Sequence, residues 1–431
     1  MHRLDLEQRI DAAFAQEILP EGPGAALAIV KDGRFIFRKG YGLANVEWGI
    51  QMPPDAVFPI ASLTKQFTAV AIMMLKERGL VSLDVSLEKY LPDFPLQGRH
   101  VTVRHLLNHT SGIHSYSDLP EHRRNTAPLK SSLNKLVELI ANRPFEFEPG
   151  ERYRYNNSGY VLLGAVIENV SGTRYRDFLK REIFDPLGMR STAYRSDEPI
   201  VPKRVAGYQR GQSGIENASY MSPTFFHAAG GLASTLDDLA IWDRAIRANR
   251  LIEAGSFAHM LVPTRLSDGT EYPYGFGFGT AVYREQRIYH HTGGINGFAT
   301  HMLHLRDTNL TTIVLSNLYL FPMDRITRLL LRCALELPEA SATQFTRDES
   351  ADSFAGEFKI GTFRRQIITT EGGLAFADQP GTLLRLHGED TLFEANDPEN
   401  TYRFSELRDG KYQRFEALSP LWPPQLYNRV L

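Results

Sequence analysis

Two residues of the stretch FPIASLTKQFTAVAIMMLKERG, which runs from Phe58 to Gly79, have the types and spacing to do chemistry together. Ser62 and Lys65 are three residues apart, so on a helix their side chains share one face. A neutral lysine could take the proton of the serine hydroxyl, while the free N–H groups at a helix start favour a developing oxyanion. The lysine pKa would have to fall from ~10.4 to ~7–8, a shift that burial and a cationic neighbour can supply. The pair therefore indicates an activated nucleophile, although Ser62 could instead simply cap the helix.

A second pair of polar residues stands in the stretch ERYRYNNSGYVLLG, just before a predicted helix. Tyr155 could relay a proton if a cation lowered its pKa from ~10. Asn157 could donate a hydrogen bond to a substrate amide and to a neighbouring side chain. The alternative is that Tyr155 packs at the helix N-terminus and that Asn157 or Ser158 caps it.

A third polar stretch, RIYHHTGGINGF, joins two β-rich runs of the sequence. The run His291-Thr292-Gly293-Gly294 ends the first, and Gly297 opens the second. Glycine in a strand lets another backbone or a ligand approach closely, and a polar strand edge can bind an extended acyl group by strand addition. The alternative is a glycine-rich hairpin loop without a ligand.

The sequence predicts neither a metal site nor a surface that binds nucleic acid nor a membrane span. His105 and His109 have the i, i+4 spacing of a ligand pair, but no glutamate lies between them where a metallopeptidase helix needs one. The single cysteine, Cys333, excludes an internal disulfide and a cysteine-based zinc cage. The formal net charge of −2 and the lack of a long uncharged apolar window indicate neither a polyanion-binding surface nor a membrane span. We therefore expect no metal, no cofactor, no nucleic-acid partner and no membrane partner.

The elements that must position these residues follow from the hydrophobic pattern. Two β-rich runs meet at Asp32-Gly33, a strong hairpin signal, and three more lie between residues 274 and 317. The chain between these two groups of strands is mostly helical, and its residues from about 62 to 252 are predicted to be a helical insertion between them. A last helix is predicted over 323–336. We predict an α/β (α+β) fold, in which an antiparallel sheet flanked by helices is built from both ends of this region and carries an all-helical subdomain.

The last part of the chain has a different character. Residues 340–352 are polar and typical of a linker, and short β-rich runs with turn signals such as Asp409-Gly410 follow. We predict a first domain over 1–339 and a C-terminal all-β domain over 353–431, an antiparallel barrel or sandwich of about 80 residues.

The three polar stretches together resemble, in order and spacing, the motifs of the serine β-lactamase and penicillin-binding protein superfamily. They are most similar to the branch that holds class C β-lactamases, certain D-alanyl-D-alanine carboxypeptidases, D-aminopeptidases and related esterases. YNN at 155–157 matches the middle Tyr-x-Asn motif of that branch, and HTG at 291–293 matches its third motif. VTVRHLLNHTSGI, FDPLGMRSTAY and GGLASTLDDLAIW also look like stretches of this branch. The resemblance covers roughly residues 6–336 and implies a β-lactamase/transpeptidase-like fold for the first domain.

The resemblance also implies a division of roles among the polar residues. Ser62 would be the acylated nucleophile, and Lys65 and Tyr155 would share the proton transfers of acylation and deacylation. Asn157 would bind the substrate amide and steady Lys65. His291 would stand where many relatives have lysine and would help Tyr155 and the substrate carboxylate or leaving group. No glutamate base in the style of the class A enzymes is found, so deacylation would rest on these same proton carriers.

The third motif would also supply binding groups. The resemblance implies that Thr292, Gly293 and Gly294 contact the substrate, and that the backbone N–H groups of Ser62 and Gly294 form the oxyanion hole. Losing one such donor typically costs ~10²–10³ in rate. Because histidine at position 291 titrates near neutrality, unlike lysine, it weakens the case for a fixed cation that grips a substrate carboxylate. This favours an esterase or aminopeptidase over a β-lactamase or carboxypeptidase.

We therefore expect a serine hydrolase that cleaves amide or ester bonds through an acyl-enzyme on Ser62, with D-amino-acid-containing peptides or amides as candidate substrates. The alternatives are a carboxylesterase or β-lactamase of the same fold and, from another class, a catalytically idle penicillin-binding or assembly protein. The expected partner is a small molecule or short peptide, and the C-terminal domain could cover the site mouth or mediate a homo-oligomer. No leader is visible, so a cytoplasmic location is expected, although a periplasmic or secreted chain trimmed of its leader would look the same.

Overall fold

The structure is a computed structural model in which the chain divides into two compact units. The first comprises Met1–Thr280 and Gln286–Leu335, and the second comprises Ala281–Glu285 and Glu336–Leu431. The predicted linker at 340–352 lies mostly outside the described residues, so the domain boundaries stay a prediction. The described residues are 3–15, 17–18, 20–211, 214–337, 351–360, 363–371, 373–377, 379–387, 390–395, 397–419 and 421–430.

Most of the described helices belong to the first unit, and the last of them belongs to the second. The α-helices of the described residues are α1 (Arg3–Phe14), α2 (Thr64–Glu77), α3 (Val103–Leu107), α4 (Pro120–Asn125), α5 (Leu133–Ala141), α6 (Asn157–Ser171), α7 (Tyr175–Leu179), α8 (Asp185–Leu187), α9 (Leu236–Arg247), α10 (Ala254–Met260), α11 (Met323–Leu335) and α12 (Ala351–Phe354). Short 3-10 turns cover Ala61–Leu63, Leu87–Lys89, Tyr116–Asp118 and His227–Ala229, and Lys180–Phe184 is a π-helical segment. Not one of these helices has the length and apolar character needed to cross a membrane.

The strands that lie before residue 317 in the described chain form one large sheet and several small ones. They are β1 (Ala25–Lys31), β2 (Arg34–Tyr41), β3 (Leu43–Asn45), β4 (Ile50–Gln51), β5 (Phe58–Pro59), β6 (Ala193–Tyr194), β7 (Tyr208–Gly211), β8 (Gly214–Asn217), β9 (Leu232–Ser234), β10 (Thr264–Arg265), β11 (Glu271–Tyr272), β12 (Gly279–Tyr283), β13 (Gln286–Ile295), β14 (Phe298–Leu305) and β15 (Leu310–Ser316). The large sheet has the order β12-β13-β14-β15-β1-β2. Because β1 pairs antiparallel with both β2 and β15, strands from the two ends of the first unit meet in one sheet, as the sequence predicts.

The hairpin between β1 and β2 has the predicted two-residue turn. Asp32 and Gly33 have φ values of 51° and 76°, and this left-handed pair matches the right-handed twist of the strands it joins. Six of the seven residues of β1 are buried, which fits a central strand covered on both faces.

Helices α9 and α11 lie on opposite faces of the large sheet. Asp243 of α9 accepts a hydrogen bond from Thr311 of β15 at 2.8 Å, and Thr311 pairs with His304. Thr327 of α11 contacts His301 of β14 at 2.8 Å. Since His301 and His304 are three residues apart on one strand, their side chains point to opposite faces.

The helical middle of the first unit is built around α2, whose residues Thr64 to Leu75 are all buried. Helix α6 packs against α2, α3, α5 and α7. The prediction of an all-helical subdomain is incomplete, because the small sheet β5-β9-β6 and the hairpin β7–β8 also lie in or beside the 62–252 segment. These strands have two to four residues each, too few to show a period of two in the sequence.

The second unit contains a closed antiparallel barrel, so of the two predicted forms the barrel is confirmed. Its strands are β16 (Gly356–Ile360), β17 (Phe363–Thr370), β18 (Gly373–Phe376), β19 (Gln379–His387), β20 (Thr391–Glu394), β21 (Asp397–Arg408), β22 (Lys411–Ser419) and β23 (Trp422–Arg429). Consecutive strands pair, and β16 pairs with β23, which closes the barrel and removes the free edges. Aromatic side chains fill its core, including stacked Phe415 and Tyr427 with ring centroids 4.6 Å apart.

Candidate active site

Ser62 lies at a sharp turn between strand β5 and helix α2. The residue before it, Ala61, has φ 46°, which is rare for a residue other than glycine and places the serine at a strained turn. The Thr300 hydroxyl donates to the Ile60 carbonyl at 3.0 Å and so ties the turn to strand β14. The Ser62 side chain caps neither the 3-10 turn nor α2, so the helix-cap alternative for this residue is wrong.

Lys65 is fully buried, and its amine contacts three oxygens. Nζ lies 3.1 Å from Ser62 Oγ, 2.8 Å from Asn157 Oδ1 and 2.8 Å from the Ala229 carbonyl oxygen. Burial lowers the pKa of Lys65 well below its ordinary range, which favours the neutral amine. A neutral amine has two N–H donors and one lone pair. Because the amide and carbonyl oxygens can only accept, they take both N–H groups, and the lone pair is left to accept the Ser62 proton.

Asn157 is oriented toward Lys65 by a residue that the sequence analysis did not single out. Its Nδ2 donates to Ser117 Oγ at 2.8 Å, which leaves Oδ1 to face the amine. The cap of α6 is Asn156, whose side chain accepts from the Gly159 N–H at 3.1 Å. The alternative in which Asn157 or Ser158 caps the helix is therefore wrong, and Asn157 is available to the site.

Tyr155 lies beside Lys65 at a partly exposed position. Its ring centroid lies 4.8 Å from Lys65 Nζ. Although 37% of the residue surface is exposed, burial raises the pKa of the Tyr155 hydroxyl; the nearby Ser62 side chain lowers this pKa and the Asp118 carboxylate raises it further. The condition named for Tyr155 in the sequence, a pKa lowered by a cation, is not met, because the neighbouring amine is itself driven toward its neutral form. A tyrosine hydroxyl with a raised pKa stays protonated at neutral pH.

His291 lies beside Tyr155, but both of its ring nitrogens are engaged elsewhere. Nδ1 is 2.5 Å from the Thr292 carbonyl oxygen and therefore donates to it, and Nε2 accepts from the Tyr274 hydroxyl at 3.0 Å. Burial, together with the nearby Lys65 amine, lowers the pKa of His291 to about 3. The expectation that His291 titrates near neutrality is wrong, because the imidazole is enclosed. The ring centroids of His291 and Tyr155 are 6.1 Å apart.

The two glycines of the third motif differ in the space around them. A Cβ on Gly293 would stand 2.4 Å from Thr300 Oγ1 and 2.6 Å from the Ile60 carbonyl, so only glycine lets β13 approach the Ser62 turn this closely. A Cβ on Gly294 would meet only Tyr319, at 3.9 Å. The space beside Gly294 is thus open, while Thr292 is half-buried and pairs with His301.

The histidines considered as metal ligands have other partners. His105 forms part of the capping box of α3, in which Thr102 accepts from its backbone N–H. His109 accepts a hydrogen bond from the Asn156 N–H at 3.1 Å. Across the described part of the chain, no group of three or more His, Cys, Asp or Glu side chains is arranged to hold a metal ion.

This geometry can be set beside known families. Residues 12–335 match the family model described as Beta-lactamase. The chain belongs to the Beta-lactamase family. The resemblance found in the sequence and the predicted β-lactamase-like fold with a C-terminal β-domain are both confirmed.

Two relatives are similar to this chain in sequence, and one solved structure shares its fold. A penicillin-binding protein of Bacillus subtilis (strain 168) is 33% identical over 311 residues, which are 68% of this chain and 68% of that protein. A D-aminopeptidase of Brucella anthropi is 31% identical over 308 residues, 69% of this chain but only 56% of the enzyme's length. The solved structure of an octameric penicillin-binding protein homologue from Pyrococcus abyssi has a TM-score of 0.71 and 23% identity, covering 99% of this chain and 100% of its own.

Several residues around the Beta-lactamase-family motifs were missed by sequence reasoning. Ser117 lies in a loop stretch whose letters carry no pattern, and Tyr274 lies in a glycine- and aromatic-rich run. The Ala229 carbonyl contributes through its backbone, which no residue type can signal. His109 had a signal, since it stands in the familiar-looking stretch HTSG, but only its spacing to His105 was considered.

Proposed function

We propose that this chain is a serine hydrolase that cleaves amide or ester bonds through an acyl-enzyme on Ser62. The observation that carries the proposal is the Lys65 amine, which is buried, driven toward its neutral form and placed 3.1 Å from Ser62 Oγ with its two N–H groups taken by pure acceptors. This arrangement supplies a base for a serine that would otherwise be a weak nucleophile. The relatives named D-aminopeptidase and penicillin-binding protein support the same class of chemistry.

In the proposed acylation, Ser62 Oγ attacks the substrate carbonyl carbon and its proton passes to Lys65 Nζ. The carbonyl oxygen, now negative, would be held by the backbone N–H groups of Ser62 and Gly294. As the bond to the leaving group breaks, Tyr155 would give its hydroxyl proton to the departing amine or alkoxide. The Lys65 ammonium would then return a proton to Tyr155, so the proton count closes.

In the proposed deacylation, a water molecule attacks the ester carbonyl of the acyl-enzyme. Its proton would pass to the same Tyr155 and Lys65 pair, which would return a proton to Ser62 Oγ as the bond between Oγ and the acyl carbon breaks. The carboxylic acid is then released and the Ser62 hydroxyl is restored. The raised pKa of Tyr155 makes a lasting phenolate costly, so Lys65 would be the resting base and Tyr155 the relay. Asn157 would steady Lys65 through both halves of the reaction and bind the substrate amide, and Thr292 and Gly293 would line the acyl group.

The proposed substrates are amides and esters without a required carboxylate, with D-amino-acid amides and short peptides as the first candidates. The neutral, doubly hydrogen-bonded His291 offers no fixed cation to hold a carboxylate, which disfavours a carboxypeptidase or β-lactamase. A carboxylesterase remains the second candidate, since an ester places fewer demands on Tyr155. A panel of D- and L-amino-acid amides, p-nitrophenyl esters and a chromogenic β-lactam would rank these activities.

The same panel separates an enzyme from an idle binding protein. We expect turnover of at least one amide or ester by the wild-type chain and none by Ser62→Ala. Labelling of Ser62 by a fluorescent penicillin without any turnover would instead support the idle alternative. Homo-oligomerisation and a cytoplasmic location stay proposals, to be checked by light scattering and by cell fractionation.

A further inference from the structure

His109 is a buried histidine next to Tyr155 that the proposed mechanism does not use. It follows the end of α3, is 1% exposed and has φ 62°. Histidine adopts this left-handed conformation more readily than most residues, but it is still uncommon outside glycine. Such a conformation in a buried turn persists where the surrounding structure holds it, often beside a functional site.

His109 binds the backbone on both sides of Tyr155. Its carbonyl oxygen accepts from the Arg154 N–H at 2.9 Å, and its Nδ1 accepts from the Asn156 N–H at 3.1 Å. One residue therefore fixes the peptide groups before and after the tyrosine. Its ring also contacts the tyrosine ring directly, with centroids 4.4 Å apart and planes inclined by 42°.

The hydrogen bond at Nδ1 determines the tautomer of His109. Because Nδ1 accepts, the ring proton must lie on Nε2. Nε2 is buried and has no hydrogen-bond partner among the described residues, and it lies in a group of rings that includes Tyr160 and Tyr274, at centroid distances of 5.1 and 4.8 Å. The imidazole of His109 therefore remains at this position although its buried Nε2–H has no hydrogen-bond acceptor among the described residues.

We propose that His109 is a positioning residue that holds Tyr155 in place for proton transfer, chiefly through the bond from the Asn156 N–H to Nδ1. The inference rests on the proposed acyl-enzyme function, in which Tyr155 delivers the leaving-group proton. A displacement of a reacting group by ~1 Å can cost ~10²-fold in rate, so a residue that fixes the backbone at 154 and 156 controls the efficiency of the tyrosine.

The positioning bond requires a neutral imidazole. Burial, with the nearby Lys65 and His291, lowers the pKa of His109 well below its ordinary value, so Nδ1 keeps its lone pair. A protonated ring would place a donor against the Asn156 N–H. The bond is consequently present throughout the neutral range.

Two variants separate the acceptor from the ring. His109→Phe keeps an aromatic ring but removes the acceptor at Nδ1, whereas His109→Asn keeps an acceptor at that position, tolerates the left-handed backbone and loses most of the ring. We expect the Phe variant to lower kcat on an amide by ~10- to ~100-fold with little change in KM, and the Asn variant to recover most of that loss. If the Phe variant does not fold, His109→Gly, which suits the backbone and also lacks the acceptor, takes its place.

The decisive measurement is a double-mutant cycle with Tyr155→Phe, using one amide and one p-nitrophenyl ester. A positioning role predicts that His109→Phe lowers kcat on the amide more than kcat on the ester. It also predicts that His109→Phe causes no further loss of amide turnover when Tyr155 is already phenylalanine. His304→Phe, which removes another buried histidine, should lower stability without changing the amide-to-ester ratio.

The possible outcomes are distinct. An equal loss in both backgrounds, or full amide activity in the Phe variant together with a loss in the Asn variant, would overturn the positioning role. A wild-type chain without Ser62-dependent turnover would overturn the proposed function, and this inference with it.

Discussion

At the scale of single residues, Lys65 determines whether the proposed chemistry can occur. A lysine normally keeps its charge in water, but here the side chain is fully buried and its three contacts are neutral oxygens. Burying a charge without an opposite partner is costly, so the group gives up its proton instead. The fold therefore spends stability to hold a base beside Ser62.

Replacing Lys65 with methionine should lower turnover and should also remove one contribution to the pH dependence of stability. Turnover should fall by ~10²–10⁴-fold, because Ser62 loses its base. Below pH ~10.4, Lys65 of the unfolded wild-type chain binds a proton that Lys65 of the folded protein does not bind. The free energy of unfolding of the wild type therefore increases as pH rises toward that value. The methionine variant lacks this slope.

Melting temperatures at pH 7 and pH 10 test whether the buried Lys65 amine is neutral in the folded protein. The Tm of Lys65→Met relative to wild type should be higher at pH 7 than at pH 10. The reverse order would mean that the buried amine is charged in the folded protein and that Lys65 is not the resting base.

Tyr155→Phe should distinguish substrates by their leaving groups. An amide needs a proton delivered to the departing nitrogen, whereas p-nitrophenolate leaves without one. We therefore expect a loss in kcat/KM on amides that exceeds the loss on p-nitrophenyl esters by ~10-fold or more. Equal losses on both substrates would mean that Tyr155 is not the acid.

The motif residues could be predicted from the sequence, but their protonation and several of their partners could not. Ser62, Lys65 and Asn157 are brought together as expected. The neutral state of His291 depends on a hydroxyl from Tyr274, 17 positions away, and on burial that no local pattern reveals. The residue types at the site are therefore readable from the sequence, whereas the lowered pKa of His291 is not.

At the scale of elements, the site depends on how closely strand β13 approaches the turn that carries Ser62. Gly293 makes this approach possible, and Gly294, the next residue, faces open space. The turn itself is held by Thr300 of β14. The position of Ser62 therefore depends on strand β13 and on the turn together.

Two neighbouring glycine variants test this close approach. Gly293→Ala should destabilise the fold by about 1–3 kcal/mol and abolish most turnover, because its Cβ would press on backbone and on Thr300. Gly294→Ala is the matched control for stability, since its Cβ has room. Urea unfolding of both variants checks the prediction, and equal stability would show that β13 does not pack against the turn as described.

Elements with a long hydrophobic period were predictable, and short ones were not. The β1–β2 hairpin and the late strands follow from β-rich runs and, for the hairpin, the Asp32-Gly33 turn signal, and α11 follows from a helical apolar run of 13 residues. The two-residue strands β5 and β6 are held by pairing with β9, a contact between distant segments that the sequence does not show.

At the scale of the whole molecule, all the motif residues lie in the first compact unit. A chain truncated after residue 339 should therefore keep Ser62-dependent turnover of a small p-nitrophenyl ester within ~10-fold, provided that it remains folded by circular dichroism. The range of peptide sizes accepted, or the oligomer mass, should be what changes. A folded truncated chain without ester turnover would show that the second unit is needed for the chemistry.

The central claim is that Ser62 carries the acyl group. Acid quenching of the enzyme during turnover of a p-nitrophenyl ester, followed by peptide mapping with mass spectrometry, tests it directly. We predict the mass of the acyl group on the peptide that contains Ser62, and neither this adduct nor turnover in Ser62→Ala. Turnover that persists in Ser62→Ala, or an acyl group found on a different residue, would contradict the account.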